Sequence, residues 1–318
     1  MHGHRVFCLF LISFLLVCLW GAKSYSDDSV GSGPEFEFLI QKYHEAEHML
    51  EKSSGPTRFL IESSSNQNVS HIDIYGTVKY PFAIVENDLL IPANWCRIVL
   101  SHPNIRACTY MKVNDTWLLN IYNVDKFSEP LSDAYKMKFF YSVSKLKADY
   151  FDFALAAQDG PSYTKNHHIG FEAIPLGNDM TFIHFRYSFG YSTLGYYLMK
   201  LFSGAKIGFS IIGTNGAGNP IYVNELRGAV ERDVVCHYFA ILAYLDTRKD
   251  PSNQRFERRI SQWYDLTVPF KEQLFEINKD EYLKYKNRDW ESQQRLQGAL
   301  NKLKMCGGIN ICLKDVNP

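Results

Sequence analysis

Residues 225–245 read ELRGAVERDVVCHYFAILAYL, and residues 183–189, shortly before them, read IHFRYSF. The first stretch has a helical period. Arg227, Glu231, Arg232 and Asp233 charge its opening turns, and from Val234 onward apolar residues surround most of its circumference, so the helix must be buried. The second stretch has a period of two: Ile183, Phe185, Tyr187 and Phe189 alternate with His184, Arg186 and Ser188, which makes a strand with one apolar face. A long buried helix following an apolar-faced strand poses the question of how much sheet there is to bury it.

The alternation extends upstream. Ile72, Ile74 and Val78 are set against His71, Asp73, Tyr75 and Thr77; Trp117, Leu119 and Ile121 against Thr116 and Asn120; Met137, Phe139, Tyr141 and Val143 against Lys136, Lys138 and Ser142. Phe151, Phe153 and Leu155 then face away from Asp152 and Ala154, and Ile169, Phe171 and Ala173 away from His168 and Glu172. Asn114-Asp115, Asp159-Gly160-Pro161 and Gly177-Asn178-Asp179 mark short turns, so the strands form an antiparallel meander with one apolar and one solvated face. The Ser-rich stretch 63–65 reads as a turn, and the glycine run 213–218 as a flexible one. Phe36, Leu39, Ile40, Tyr43, Ala46 and Leu50 recur at helical spacing ahead of Gly55-Pro56, and Pro81–Leu100 reads as two short helices. After Pro251, Ile260, Trp263, Tyr264, Phe270, Leu274, Phe275, Tyr282 and Trp290 are spaced as helix faces among many charges. The fold class is α+β.

The 318 residues carry 34 basic and 34 acidic side chains, a balance that offers no footprint for nucleic acid, and 46% hydrophobic content excludes a disordered chain. Twenty Tyr and 22 Phe favour half-buried strands and an aromatic interior. At the N-terminus, Arg5 precedes the apolar run Val6–Trp20 and the small-residue segment Gly21-Ala22-Lys23-Ser24, so residues 1–24 read as a secretory signal and the protein as exported, periplasmic or secreted. The run is shorter than a bilayer span needs. Residues 25–34 are Ser-, Asp- and Gly-rich and read as a flexible linker. In an oxidising compartment Cys96 pairs best with Cys108, closing a short loop, and Cys306 with Cys312. Asn68-Val-Ser70 and Asn114-Asp-Thr116 match the glycosylation pattern of a eukaryotic host.

Tyr75-Gly76-Thr77-Val78, Pro81-Phe82 entering the short helices, Trp95-Cys96 at their end, Glu172-Ala173-Ile174-Pro175-Leu176 on a late strand and Arg227–Arg232 opening the last helix carry a resemblance in order and pattern. Over about residues 58–246 the chain resembles the START-related, helix-grip lipid-transfer and ligand-binding superfamily, in which a curved antiparallel sheet wraps a long C-terminal helix. Two features depart from the minimal domain: the long segment 191–221 and the helical extension 251–318. The expected organisation is a signal at 1–24, a linker at 25–34, a helix-grip START-like domain at 35–250 and the extension at 251–318. The resemblance implies carriage of a lipid or other large apolar molecule in a cavity. It does not identify the ligand.

The expected cavity residues are Phe139, Tyr141, Phe153, Phe171, Phe185, Tyr187 and Phe189 on the apolar sheet face, with Glu231, Arg232 and His237 from the helix. Glu231 or Arg232 would meet a ligand head group; the plainer reading pairs Arg227 with Glu231 at helical spacing. Leu194, Tyr197, Leu198 and Phe202, flanked by lysines, would form either a lid touching a membrane surface or a plug in the end of the barrel. No metal or cofactor is expected: His167 and His168 point to opposite strand faces, the cysteines lack His at ligand spacing, and the glycine run lacks the Lys-Ser/Thr ending of a phosphate loop. Members of the superfamily include cyclases, dehydratases and hydrolases, so an enzyme with Tyr187, His237 or Glu231 as acid or base is an alternative, although no nucleophile elbow occurs. A third reading is a partner-binding protein with a filled core.

Overall fold

A computed structural model describes residues 33–52, 57–66, 68–177, 179–203, 207–274 and 276–305. The chain runs α1 (Pro34–Lys52), β1 (Phe59–Asn66), β2 (Val69–Val78), α2 (Phe82–Leu89), α3 (Pro92–Val99), β3 (Ile105–Val113), β4 (Thr116–Asn123), β5 (Tyr135–Lys147), β6 (Tyr150–Asp159), β7 (Thr164–Pro175) and β8 (Thr181–Tyr191). It continues with α4 (Thr193–Ser203), β9 (Ile211–Thr214), β10 (Pro220–Tyr222), α5 (Glu225–Asp246), α6 (Arg255–Thr267), α7 (Lys271–Leu274) and α8 (Lys279–Met305). Eight antiparallel strands form one sheet in the order β1-β2-β8-β7-β6-β5-β4-β3. The long helix α5 packs on its inner face, which is the helix-grip architecture.

Register explains the inner face. Ile74 pairs with Phe185, Phe185 with Phe171 and Phe171 with Phe153, so one continuous apolar row crosses β2, β8, β7 and β6. Ile72, Tyr187, Ile169, Leu155, Tyr141 and Trp117 make the next row, reaching β4. At Gly76 on β2 an added Cβ would collide with Tyr238 Oη of α5, so the glycine of the Tyr75-Gly76 pair leaves room for that side chain between helix and sheet.

Over the middle of these rows the interior is solid. Phe151, Phe153 and Phe171 stack with centroids 5.5 to 6.3 Å apart, and Trp95 from α3 lies 5.2 Å from Phe153. Trp95 Nε1 donates to the Leu89 carbonyl at 2.8 Å, so the indole is buried with its polar atom satisfied. Cys96, within α3, is bonded to Cys108 on β3, as expected; closing so short a loop is worth about 3 kcal/mol in the chain-entropy model. The Cys306 and Cys312 pairing, like residues 1–24 and 25–32, lies outside the described residues.

Three readings of the sequence change. Ser63–Ser65 are not a turn but part of the edge strand β1, Ser63 opposite Ile72 and Ser65 opposite Ser70; pairing with β2 supplies the ladder bonds that a run of serines does not advertise. The glycine run is the tip of the β9–β10 hairpin, organised by Asn215 Oδ1, which accepts from the Ala217 and Asn219 amides at 3.0 and 2.9 Å. The sheet face taken as solvated is covered over β2, β6, β7 and β8 by α1, whose Leu39 and Ala46 bury Tyr75, Tyr150, Ile174 and Phe182. Glu172 and His184 are therefore buried, at 5% and 4% exposure. They form a cross-strand network, His184 Nε2 lying 2.7 Å from Asp73 and Glu172 pairing with Arg186.

The C-terminal helices share the main core. Phe256, Ile260, Trp263, Leu266, Leu274 and Tyr282 join the same hydrophobic cluster as the sheet and α5. Helix α8 also covers the open edge of β3 with side chains. Gln293 accepts from the Cys108 amide at 2.7 Å, and Gln297 both accepts from the Tyr110 amide at 2.9 Å and donates to its carbonyl at 3.1 Å. Residues two apart on the strand thus meet residues four apart on the helix, and edge groups that would template aggregation are used up.

Candidate functional site

A cavity of about 410 Å³ opens where the aromatic stack ends, beyond the strand positions that Trp95 and the ring stack fill. Met137 from β5 and Tyr187 and Phe189 from β8 face it, though two strands separate β5 from β8, so the sheet curls around the void. Helix α5 contributes Leu226, Ala229, Val230, Arg232, Asp233 and Cys236; α6 adds Trp263 and Tyr264; Met199 of α4 lies over it. Among the expected cavity residues, Tyr187, Phe189 and Arg232 line this space. Phe139, Tyr141, Phe153, Phe171 and Phe185 are not brought to it: they are packed in the solid core, where α3 occupies the space that the strand pattern leaves open. Tyr141 instead donates its hydroxyl to the Leu90 carbonyl at 2.9 Å.

Glu231 is fully buried but does not line the cavity. Its carboxylate accepts from Ser63 Oγ and from the amides of Phe209 and Ser210 at 2.7 and 2.9 Å, and Arg227 stands 3.7 Å away, the helical pair of the plainer reading. Together these bonds tie α5 to β1 and to the base of the β9–β10 hairpin. Arg232 is held by Glu276 at 2.7 Å. Glu231 is spent on the fold, as a buried charge must be; Arg232 is neutralised by Glu276, but its Nε is buried on the cavity wall without a hydrogen-bond partner.

A β-bulge aims one histidine inward. The β7–β8 register shifts between Lys165 and His168, with Asn166 in a left-handed conformation at φ 53°, and His167 then pairs with Ala157 on the inner face. His167 Nδ1 shares a hydrogen bond with Tyr187 Oη at 2.6 Å, and Nε2 one with Thr164 Oγ1 at 3.0 Å. Burial pushes the His167 imidazole down to about 4 and raises the Tyr187 phenol. His168, on the opposite face as expected, is half-buried.

A second polar group stands at the other end. His102 follows α3, and its ring stacks on that of His237 with centroids 4.3 Å apart. His102 Nε2 lies 3.1 Å from Asp233 Oδ1. Burial, with His102 adding to it, holds the His237 imidazole down at about 3. One ligand atom from each of His102, Asp233 and His237 falls within 4.8 Å of the others, a spacing a metal ion would accept. The tautomer does not suit a metal. Asn104's amide donates to His102 Nδ1 at 3.1 Å, so the ring proton belongs on Nε2, whereas metal-binding imidazoles present a bare nitrogen and donate from the other. The His102, Asp233 and Asn104 contributions were not legible in the sequence; they come from a loop, a helix opening and a strand start that periodicity does not connect.

Around the mouth, Leu194 and Tyr197 of α4 are exposed, at 55% and 64%, as is Tyr163 beside them, while Leu198 is half-buried. Phe202 belongs to α4, but its side chain lies outside the described residues. The β9–β10 hairpin adds exposed Ile211, Ile212 and Ile221. Among the described residues, no helix is long and apolar enough to cross a membrane.

An inner sheet face gripping a helix, with a lined void left between them, defines a helix-grip fold with an internal ligand-sized cavity. No family model and no curated protein matches the chain. Solved structures that resemble it include human StAR-related lipid transfer protein 5, at 14% identity over 49% of this chain and 84% of that one, TM-score 0.30. The Zhui aromatase/cyclase from a Streptomyces species is 12% identical over 57% and 95%, TM-score 0.35, and norcoclaurine synthase from Thalictrum flavum is 9% identical over 46% and 86%, TM-score 0.30. At these scores the likeness carries no argument of its own; the assignment rests on the element order and register above.

Proposed function

We propose that the protein is an exported carrier that sequesters a compact apolar ligand in the cavity between β5, β8, α5 and α6. The observation that carries this reading is the void itself, walled by Met137, Tyr187, Phe189, Leu226, Trp263 and Ile277 in an otherwise tightly packed interior. Its size of about 410 Å³ lies within the lower part of the range of small-molecule sites, which favours a single-chain or ring-shaped molecule over a two-chain lipid. Burying such a molecule at about 25 cal/mol per Å² supplies affinity. Entry passes under α4, and the exposed Leu194 and Tyr197 suit transient contact with a membrane surface.

The protonation equilibria favour binding over turnover. A general acid or base works best with its pKa near the working pH, yet burial drives His167 down to about 4 and Tyr187 upward, away from neutrality on both sides. Glu231 is occupied by four partners. Native mass spectrometry of the purified protein, followed by solvent extraction, tests the carrier reading: a co-purifying apolar molecule is expected. A protein that comes out empty and also fails to take up Nile red refutes it. Leu194→Asp with Tyr197→Asp is expected to weaken liposome association at least tenfold, and unchanged association removes the membrane step.

A further inference from the structure

Unpartnered polar atoms gather at one end of the cavity. Asn104 and Asn123 are neighbours at the end of the β3–β4 ladder, where Ile105 pairs with Asn123 and the Val124 amide donates to the Asn104 carbonyl at 2.9 Å. Both line the void, and the Oδ1 of each is buried without a hydrogen-bond partner. His102, 2% exposed, lines the same end; its Nε2 is close to Asp233 but not in hydrogen-bonding geometry with it. Native interiors leave few such groups, because each costs about 1–3 kcal/mol, so several in one cavity wall point to an absent partner.

We infer that the His102–Asn104–Asn123 end of the cavity is a subsite for an uncharged hydroxyl group, so that the ligand is an apolar molecule headed by an alcohol rather than by a carboxylate or phosphate. The inference rests on the carrier reading. Two amide oxygens ask for a donated proton, while His102 Nε2–H and Arg232 Nε–H each offer one; a hydroxyl both donates and accepts. Turning either amide exchanges an acceptor for a donor, and a hydroxyl still answers it. A carboxylate or phosphate answers the His102 and Arg232 donors but leaves both amide oxygens unmet and brings a further negative charge beside Asp233 in a partly desolvated corner. An ammonium brings only donors and leaves His102 Nε2–H and Arg232 Nε–H on the same wall without an acceptor.

Displacement of Nile red at neutral pH by dodecanol, dodecanoate and methyl dodecyl ether tests this. Dodecanol is expected to displace the dye at a concentration at least tenfold below either of the others. Asn123→Leu should bring dodecanol to the level of the ether without moving the ether, and Asp233→Asn should narrow the gap between dodecanol and dodecanoate. Equal displacement by all three, or dodecanoate displacing best, overturns the subsite while leaving the carrier reading standing. If neither the dye nor any probe binds, both fall. Melting curves confirm folding of each variant; should Asn123→Leu fail to fold, an unchanged alcohol-to-acid ratio in Asp233→Asn overturns the inference by itself.

Discussion

Acid should loosen this protein between pH 7 and 5, and two histidines, His167 on the cavity wall and His237 behind it, set how steeply. An unfolded histidine titrates near 6.5, whereas burial holds His167 down at about 4 and His237 at about 3. Above about pH 6.5 both states are neutral at these positions and no stability difference arises. As the pH falls through that value the unfolded chain takes up two protons that the folded chain refuses, so stability drops by about 2.7 kcal/mol per pH unit once uptake is complete. By about pH 5 the loss is roughly 2 kcal/mol for each histidine, about 4 kcal/mol together, a large part of the 5–15 kcal/mol of an ordinary domain. Burial lowers His168 as well, which works in the same direction. Urea unfolding at steps of pH, with the wild type beside His167→Gln, measures the slope; the variant should lose about half of it. A stability that stays flat from pH 7 to 5, a variant that keeps the full slope, or imidazole resonances of His167 and His237 titrating at 6.5 would refute the reasoning.

Further outcomes follow from α8. Replacing Gln293 by Leu leaves the Cys108 amide without its acceptor and should cost about 1–3 kcal/mol in chemical unfolding, with faster hydrogen exchange at Cys108; Gln297→Leu should do the same at Tyr110. Asp289 neutralises two buried cations, lying 2.7 Å from Arg106 and 3.0 Å from Lys286. Asp289→Ala should therefore cost about 3–5 kcal/mol in thermal or urea melts. Lys286→Met should cost less, because the Arg106 pair survives and only the carbonyls of His102 and Ile105 lose a donor. Because one of those carbonyls belongs to His102, Lys286→Met is also expected to weaken dodecanol displacement of Nile red.

Much of the fold was legible because both of its periods are local. The residues that alternate along β2, β4, β5, β6, β7 and β8 are the ones that pair across the sheet, and the apolar second half of α5 announced a helix that a sheet must enclose. The Cys96–Cys108 bond was readable from two cysteines a short loop apart, although both sit inside their elements, Cys96 in α3 and Cys108 in β3, rather than at the ends the sequence suggested. Edge strand β1 escaped notice, since its serines draw their structure from β2 and from Arg227 and Glu231 rather than from their own propensity. The burial of Glu172 and His184 escaped too, because nothing in a strand's alternation tells whether a helix elsewhere in the chain will cover its polar side.

The sequence by itself determined which side chains point inward, since the side-chain period of a strand is two whatever lies above it. Only the tertiary structure decided which inward side chains meet a void. Phe153 and Phe171 read the same as Tyr187 and Phe189 along their strands, yet Trp95 fills the space over the first pair, while the curl of the sheet and α6 leave a gap over the second. The polar end of that gap is assembled from His102, Asn104, Asn123 and Asp233, which belong to three separate places in the chain. Packing is a property of pairs distant in sequence, and a cavity is where such pairs fail to touch.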